Sequence, residues 1–426
     1  MGQGVLTAGF PRVDGQLLAE GVPLERIAAT VGTPAFVYSA GLVRERYRTL
    51  DLALQGVPHR IHYTLKANSS RALLRALREE GSGVDVVSGG ELHRAAAAGF
   101  GGEDIIFGGV GKTEEELRSA LEHDVAFINA ESEAEVRAIA RLAAELGVEA
   151  RVSLRVNPEV TVEATHQYIK TGERGHKFGI PLAEARGVAL LAARLPRVRL
   201  VGLGMHLGSM LSHAETYRSG VTRLADLCAE VRAGGVETLA HLDVGGGLGV
   251  RYADEQPLDV DAFAAAVVPT AVALGLDLVV EPGRFIVGNA GVLLTTVLYR
   301  KQSGGRQYAV ADAGMTELLR PSYYGAYHRV ERVSGAGART VLNVVGPVCE
   351  SGDFLALDRE MDDAGPGDLL AVFDAGAYGY VMASSYNSRR RPAEVLVDGD
   401  HFALATRRES GDDLMRLEID DLDWRT

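Results

Sequence analysis

The chain has 426 residues, 46% of them hydrophobic and 24% charged, which is typical of a globular protein with room for two domains. Its formal net charge of -13 would repel a phosphate backbone, so the composition argues against nucleic acid as a partner and favours small molecules. Its two cysteines, Cys228 and Cys349, are too few for a disulfide framework and indicate a reducing, cytoplasmic location.

The sequence shows no sign of export or membrane insertion. Its most apolar window, Ala264 to Val280, is interrupted by Pro269 and Asp277 and is shorter than a bilayer span requires. The amino terminus, MGQGVLTAGF, contains neither a basic n-region nor a long apolar stretch. We therefore expect no role at a membrane.

Strand-like and helix-like segments alternate through the first two thirds of the chain. Thr113 with Glu116 and Ser132 with Glu135 are typical of capping boxes at helix starts. Repeated strand and helix units predict a parallel (β/α)8 barrel, and the alternative is a doubly wound open sheet. The candidate strands are Ile61–Lys66, Val84–Ser88, Asp104–Phe107, Val125–Asn129, Ala150–Asn157, Leu200–His206, Leu239–Val244 and Asp277–Glu281.

After Glu281 the pattern changes to short β-branched runs separated by glycine, proline and aspartate. These runs predict a mainly antiparallel β sandwich or barrel. The predicted fold class is therefore α/β, with a TIM-like (β/α)8 barrel and a second, β-rich domain. The predicted domains are an N-terminal segment that packs with the C-terminal domain (1–34), the barrel (35–285) and the C-terminal β domain (286–426).

Lys66 ends the first candidate strand, in the stretch IHYTLKANSSRALLRAL. Taken alone it is typical of a solvated lysine at a strand end. In parallel barrels, however, the carboxyl ends of the strands carry the chemistry. Polar residues and glycines also accumulate at the other strand ends, in DVVSGGE, FGG, INA, RVNP, MHLGS, DVGGGLG and EPGR. This coincidence favours a functional role for Lys66.

The late strand ends suggest a phosphate site and an acid. Glycines at Gly245–Gly249 allow backbone N–H groups to approach an anion, and Ser209 would add a hydroxyl, although the same glycines suit an ordinary turn. Glu281 and Arg284 in EPGR either pair with each other or serve separate ligands.

A lysine, a phosphate cradle and an acid, together with a flat histidine ring at His206, suggest pyridoxal phosphate held as an imine on Lys66. Without this context His206 would be an ordinary core histidine. In this interpretation Glu281 keeps the pyridine nitrogen of the cofactor protonated.

A series of motifs in this order resembles one family over nearly the whole chain. The chain is similar to the diaminopimelate decarboxylases, within the alanine-racemase-like fold type III of pyridoxal-phosphate-dependent decarboxylases. The motifs are YTLKAN, DVVSGGEL, KFGI (Lys177–Ile180), HLGS, DVGGGLG, EPGR, DAGMTELLRPSYYGAYH (Asp312–His328), GPVCESGDFLA (Gly346–Ala356) and DAGAYGYVMASSYNSRRRPAEVLVDG (Asp374–Gly399).

The resemblance implies pyridoxal 5'-phosphate-dependent decarboxylation of meso-2,6-diaminopimelate to L-lysine and CO2, the last step of lysine biosynthesis. It also implies a homodimer whose active site is shared, with the C-terminal domain at the interface and no metal. Cofactor-binding roles would fall to Lys66 (covalent), His206 (stacking), Ser209, Gly246, Gly247, Gly283 and Arg284 (phosphate), Glu281 (pyridine nitrogen) and Tyr378. Substrate roles would fall to Arg284, Arg320, Tyr324, Tyr378 and Glu350, with Cys349 as proton donor; Cys349 and Glu350 would come from the second subunit.

Alternatives remain at this stage. Cys349 alone would be an inert buried thiol, and Tyr324 and Tyr378 would be packing aromatics. The substrate could instead be ornithine, arginine, D-lysine, D-ornithine or carboxynorspermidine, or the chain could be a pyridoxal phosphate-binding protein without turnover. Two departures from the family pattern are Met210, after HLGS, and the charged approach TGERGH to Lys177.

Overall fold

The computed structural model describes residues 9–160, 175–335, 337–420, 422 and 424. Residues 1–8 at the amino terminus and residues 171–174 of the charged approach to Lys177 lie outside the described residues. The described strands are β1 (Arg12–Val13), β2 (Gln16–Ala19), β3 (Val22–Pro23), β4 (Ala35–Ser39), β5 (His59–Thr64), β6 (Gly83–Val86), β7 (Ile105–Phe107), β8 (Phe127–Ala130), β9 (Ala150–Asn157), β10 (Ile180–Pro181), β11 (Val198–Gly204), β12 (His241–Asp243), β13 (Asp277–Val280), β14 (Gly291–Ser303), β15 (Arg306–Ala311), β16 (Val330–Arg332), β17 (Arg339–Val345), β18 (Phe354–Asp362), β19 (Leu369–Val372), β20 (Ala393–Asp398) and β21 (His401–Thr406).

Helices alternate with the strands of the first part of the chain. None of the helices in the described ranges combines the length and the apolar character that a bilayer span requires. The described helices are α1 (Leu24–Val31), α2 (Ala40–Ala53), α3 (Arg71–Glu79), α4 (Gly89–Ala98), α5 (Glu114–Glu122), α6 (Glu133–Leu146), α7 (Leu182–Ala192), α8 (Ala214–Ala233), α9 (Val260–Leu274), α10 (Arg284–Val287), α11 (Arg320–Tyr324) and α12 (Gly411–Met415), with short 3-10 turns at Leu65–Ala67, Gly102–Asp104, Tyr380–Met382 and Tyr386–Ser388.

Eight parallel strands close into a barrel. The order around it is β5, β6, β7, β8, β9, β11, β12 and β13, and β13 pairs with β5 to complete the ring. Short strand β10 adds to β9. Because no edge is left between β5 and β13, the doubly wound open sheet is excluded and the predicted barrel is confirmed.

The observed barrel strands correspond to the eight candidates, and each end lies within two residues of its predicted position. Lys66 shows the one difference that affects the site. β5 ends at Thr64, so Lys66 lies in the turn that follows the strand and not in the strand itself. The alternating pattern continued past the strand because Leu65 and Ala67 are fully buried in that turn.

The second sheet has the order β18-β17-β15-β14-β4-β20-β21, and β19 pairs with both β14 and β16. Most of its pairs are antiparallel, whereas β15 with β17 and β20 with β4 are parallel. This arrangement confirms the predicted mainly antiparallel domain. Contacts divide the described chain into two units, one within Val43–Gly288 and one within Met1–Leu42 together with Asn289–Thr426.

The amino-terminal strands and α1 share one apolar core with the second sheet. Phe10, Leu17 and Ile27 pack in the same cluster as Val292 and Val395. Strand β4, which the sequence analysis included in the barrel region, is hydrogen-bonded to β14 and β20 in this sheet. As limits of separate domains, residues 34 and 285 stay a prediction.

The two predicted capping boxes differ in the structure. Thr113 and Glu116 exchange both bonds at the start of α5, as predicted. At α6 the Ser132 hydroxyl accepts the Glu135 N–H, but the Glu135 carboxylate accepts from the Glu131 N–H and from Lys112 Nζ. The second box is therefore half formed. The Glu135 carboxylate does not accept from the Ser132 backbone N–H, because it bonds with the buried Lys112 ammonium instead.

Candidate active site

Lys66 stands at the carboxyl end of the barrel, in the turn after β5. Its neighbours Leu65 and Ala67 point into the core, whereas Lys66 is exposed. Its charge acts on the acids and on the histidine that line this end: it opposes the rise in pKa that burial causes at Asp85 and Glu281. The turn therefore presents the amine among titratable groups at the end of the barrel where chemistry is expected.

A layer of buried acids lies at this end of the barrel. Asn129 Nδ2 donates to Asp243 Oδ2 at 3.1 Å and to Glu281 Oε1 at 3.3 Å. Burial raises the pKa of Asp85 to about 7 and that of Asp243 to about 6. Burial, and next the charge of Asp243, raise the pKa of Glu281 well above its ordinary value. The raised pKa therefore favours the protonated form of Glu281 in the folded protein.

His206 follows β11 and presents a neutral ring. Burial lowers its pKa well below the ordinary value, and the charges of Lys66 and Arg155 lower it further. Its Nδ1 accepts the N–H of Gly246 at 3.2 Å. The neutral ring therefore carries its proton on Nε2. A flat, uncharged ring of this kind suits stacking against a planar ligand.

The glycines after β12 are required by packing. A Cβ at Gly246 would lie 2.2 Å from the Glu281 carbonyl oxygen, and one at Gly247 would lie 2.7 Å from that of Gly208. The N–H of Gly246 donates to His206, and the Gly247 carbonyl accepts from the Leu211 N–H. Close packing alone therefore explains these glycines, and they do not by themselves identify a phosphate site.

The HLGS and GGGLG loops lie side by side. Leu211 and Leu248 form a parallel bridge. Met210 has φ +61, and its Sδ would lie 3.3 Å from a Cβ placed at Gly249. Met210 thus packs against the glycine turn and brings Ser209 to the same edge of the barrel.

Arg284 and Glu281 take different partners. The Arg284 guanidinium, 8% exposed, donates from Nη1 to the Tyr252 hydroxyl at 2.7 Å and from Nη2 to Ser209 Oγ at 3.3 Å. Glu281 instead bonds with Asn129. The alternative in which Glu281 and Arg284 serve separate ligands is therefore the one that the geometry favours, and a buried cation held by hydroxyls suits an anionic group.

Five predicted site residues lie in the second unit. Arg320 begins α11, is 7% exposed and donates from Nη1 to His328 Nε2 at 2.9 Å. Tyr324 ends the same helix, and its ring lies edge-on to Tyr323 with the centroids 4.7 Å apart. Tyr378 has φ +56, a left-handed conformation that is uncommon for a tyrosine.

Cys349 and Glu350 are both exposed, so Cys349 is not the buried thiol of the alternative interpretation. The Tyr386 hydroxyl donates to Glu350 Oε1 at 2.7 Å. The Ser322 hydroxyl of α11 donates to the Gly352 carbonyl, which ties this loop to the helix that carries Arg320. The second unit therefore groups Arg320, Tyr324, Cys349 and Glu350.

Asp353 holds the same loop through hydrogen bonds to the backbone. It is 4% exposed, and its carboxylate accepts the N–H groups of Met315 and Val348 at 2.6 Å each. A Cβ at Gly314 would lie 2.1 Å from its Oδ1. The CESGD motif thus ends on a residue that holds the loop in position.

Several residues of the barrel site had no predicted role. Asp85 and Asp243 belong to the layer of buried acids, Asn129 donates to two of these acids, and Tyr252 accepts a hydrogen bond from Arg284. Asp243 ends β12, and Asp85 and Asn129 are the next-to-last residues of β6 and β8, so their positions at strand ends were the available signal. Tyr252 lies in a loop, and nothing in the sequence pattern marks it.

The residues of the barrel site fit pyridoxal phosphate. Lys66 offers an exposed amine, and Arg284 offers a buried cation that is hydrogen-bonded to two hydroxyl groups. The raised pKa of Glu281 favours an acid that can share its proton with a basic ring nitrogen. An amine, a cation and an acid are the groups that this cofactor needs.

Comparisons with known proteins agree with this geometry. Residues 40–288 match the family model described as pyridoxal-dependent decarboxylase, pyridoxal binding domain. The diaminopimelate decarboxylase of Pseudomonas fluorescens is 47% identical over 93% of this chain and 95% of its own length. The crystal structure of diaminopimelate decarboxylase from Helicobacter pylori complexed with L-lysine is 36% identical, with a TM-score of 0.89 over 93% of this chain and 99% of that one. That from m. jannaschii in co-complex with L-lysine is 33% identical, with a TM-score of 0.92 over 97% of this chain and 98% of that one. The chain therefore belongs to the diaminopimelate decarboxylase family of pyridoxal-dependent decarboxylases.

Proposed function

We propose that the protein decarboxylates meso-2,6-diaminopimelate to L-lysine and CO2, the last step of lysine biosynthesis, with pyridoxal 5'-phosphate as cofactor. The observation that carries this proposal is the barrel end, where an exposed lysine, a neutral histidine and a buried acid with a raised pKa lie together. Similarity to diaminopimelate decarboxylases over nearly the full length supports the choice of substrate.

The barrel residues would hold the cofactor in the following way. Lys66 supplies the primary amine for covalent attachment, His206 the stacking face, and Ser209, Gly246, Gly247, Gly283, Arg284 and Tyr378 the surroundings of the phosphate. Glu281 holds a proton at the pyridine nitrogen. When bound, pyridoxal phosphate supplies a conjugated ring that accepts the electron pair left when the carboxylate departs as CO2.

The second unit would supply the proton donor and most of the residues that bind the substrate. Cys349 of the partner subunit returns a proton to the substrate carbon that lost its carboxylate. Glu350 of the partner subunit receives the distal ammonium, while Arg284, Arg320 and Tyr324 receive the distal carboxylate through charge-assisted hydrogen bonds. The exposure of Cys349 and Glu350 supports contact with a second chain.

Related decarboxylases of ornithine, arginine, D-lysine, D-ornithine or carboxynorspermidine are the main alternatives. Arg320 favours substrates with a distal carboxylate, because a guanidinium binds a carboxylate through charge-assisted hydrogen bonds. A pyridoxal phosphate-binding protein without turnover would have no use for the exposed thiol and acid of the second unit.

The test of substrate choice is CO2 release from a panel of these amino acids by the holoenzyme. We expect meso-2,6-diaminopimelate to have the highest kcat/KM and L-lysine to accumulate in equal amount to CO2. Faster release from ornithine or arginine would transfer the assignment to that substrate, and absence of release from every member would favour a binding protein.

A shared active site in a homodimer makes a prediction of its own. Lys66→Ala and Cys349→Ala each inactivate a homodimer, but a purified heterodimer of the two variants contains one intact site. We expect the heterodimer to recover about half of the parental CO2 release, because a twofold dimer has two equivalent sites. A heterodimer as inactive as both parents would show that Lys66 and Cys349 act within one chain.

We also propose that the enzyme acts in the cytoplasm. Both cysteines, buried Cys228 and exposed Cys349, are free thiols in the structure. A thiol that must donate a proton needs a reducing compartment to stay reduced.

A further inference from the structure

We propose that His328 is a positioning residue: it aims the Arg320 guanidinium at the distal carboxylate of the substrate. The inference rests on the proposed function, since it takes Arg320 as the residue that binds this carboxylate. His328 lies outside every role that the sequence motifs suggested.

The histidine bridges the arginine and the backbone of the sheet. Arg320 Nη1 donates to His328 Nε2 at 2.9 Å, and His328 Nδ1 donates to the Phe373 carbonyl at 2.8 Å. His328 is fully buried, and Phe373 is 2% exposed. Because the ring is fully buried and both of its nitrogens are hydrogen-bonded, these bonds orient the imidazole, and through it the guanidinium.

The two bonds also determine the proton on the ring. A guanidinium can only donate, so Nε2 must carry the lone pair, and the carbonyl of Phe373 can only accept, so Nδ1 must carry the proton. His328 is therefore a neutral imidazole of a single tautomer. A protonated ring would lose its acceptor and place a second cation against Arg320 in a buried site.

A neutral acceptor serves a residue that has to bind an anion. A carboxylate in place of His328 would hold the guanidinium equally well but would cancel its charge. The imidazole satisfies an N–H group and leaves that charge intact for the substrate carboxylate. A histidine in this position thus fixes direction without lowering affinity for the anion.

The backbone of His328 is held from the other side. Arg359 Nη1 donates to the His328 carbonyl at 2.7 Å, and the Arg359 guanidinium lies 3.8 Å from the Tyr327 ring centroid. The Phe373 N–H donates to the Arg329 carbonyl at 2.8 Å. His328, two residues before β16, is therefore held through both its ring and its backbone carbonyl, whereas Arg320 lies in α11, a helix of five residues. These contacts with the sheet orient the side chain that bonds with Arg320.

Binding of two ligands can distinguish a loss of Arg320 positioning from general structural damage. L-Lysine retains one carboxylate, and 1,5-diaminopentane is the same molecule without it. We expect His328→Phe, which cannot accept from Arg320, to weaken binding of L-lysine to the holoenzyme by roughly 10- to 100-fold, the range for hydrogen bonds to charged groups. Binding of 1,5-diaminopentane should stay at the parental value. Calorimetric titration of both ligands measures the ratio.

Three further variants make the result decisive. His328→Gln places an amide oxygen near the position that Nε2 of His328 occupies in the parent. This oxygen can accept from Arg320, so the variant should restore much of the preference for L-lysine. His241→Phe removes a partly buried histidine at the opposite end of a barrel strand, where its ring stacks on Phe127 at 4.7 Å, and should leave the preference unchanged. Arg320→Ala should abolish the preference.

The outcomes are distinguishable. Equal weakening of both ligands in His328→Phe, or an unchanged preference while Arg320→Ala loses it, overturns the positioning role and leaves the proposed function intact. An unchanged preference in Arg320→Ala removes the carboxylate-binding assignment of Arg320, and the role of His328 falls with it.

Discussion

Replacement of Lys66 with alanine is expected to abolish CO2 release, with a loss in kcat of roughly 10⁴-fold or more, the scale seen when a covalent catalyst is removed. The reason is chemical: Lys66 is the exposed amine among the acids and the histidine at the barrel end, and alanine offers no nucleophile. The variant should also lose the absorbance of the covalently held cofactor.

Borohydride reduction of the parental holoenzyme followed by peptide mapping should place the cofactor on Lys66. Lys177→Ala is the matched control, because Lys177 is another exposed lysine of the barrel unit, and this variant should retain the label on Lys66. A label on any other lysine, or no label, would contradict the assignment on which the mechanism depends.

Replacement of Glu281 with glutamine is expected to lower kcat by roughly 10²- to 10³-fold, comparable to the loss of a preorganised electrostatic group. Glutamine keeps the shape and the bond to Asn129, but it cannot hold a proton at the pyridine nitrogen. Glu281→Asp, which keeps the carboxyl on a shorter side chain, should lose less. A larger loss in Glu281→Asp than in Glu281→Gln would show that geometry, and not the proton, is the essential contribution.

Glu281→Gln should also stabilise the cofactor-free protein at neutral pH. Burial raises the pKa of Glu281 in the folded state, so between its unfolded value of about 4.3 and its folded value the folded protein binds the extra proton. Stability then falls as pH rises through this window, by about 1.4 kcal/mol per pH unit for one group. Below about pH 4 Glu281 is protonated in both the folded and the unfolded state, so its ionisation no longer lowers the stability of the folded protein.

Thermal unfolding of cofactor-free Glu281→Gln and of the parent at pH 4 and at pH 7 to 8 measures this effect. We expect a higher Tm for the variant at the higher pH and similar values at pH 4. Burial raises the pKa of Asp85 to about 7 and that of Asp243 to about 6, and both residues interact with Glu281, so the measured difference reports the response of the three acids together. A variant that is less stable at pH 8 than its parent would show that Glu281 is ionised and paired in the folded protein.

The barrel was predictable because its signals are local. Each strand is a short apolar run beside a helix with its own start and end, as at Thr113 and Glu116, and periodicity over a few residues is enough to recognise it. Lys66 was found in this way, although its turn extended the strand pattern by two residues.

The partners of the site residues were not predictable in the same way. Asn129 bonds with Glu281 across 152 positions of sequence, and Asp243 lies 114 positions from Asn129. No periodicity relates such residues, because the closure of the sheet, and not the local chain, brings the ends of β8, β12 and β13 together.

The sequence by itself determined the barrel, the β-rich second domain, the family and the lysine at the end of the first barrel strand, because hydrophobic period and motif order are properties of neighbouring residues. Tertiary structure alone decided which acids surround Lys66, that Glu281 and Arg284 have separate partners, and that His328 holds Arg320 as a neutral acceptor. Protonation and orientation depend on burial and on distant partners, and only the folded chain defines these.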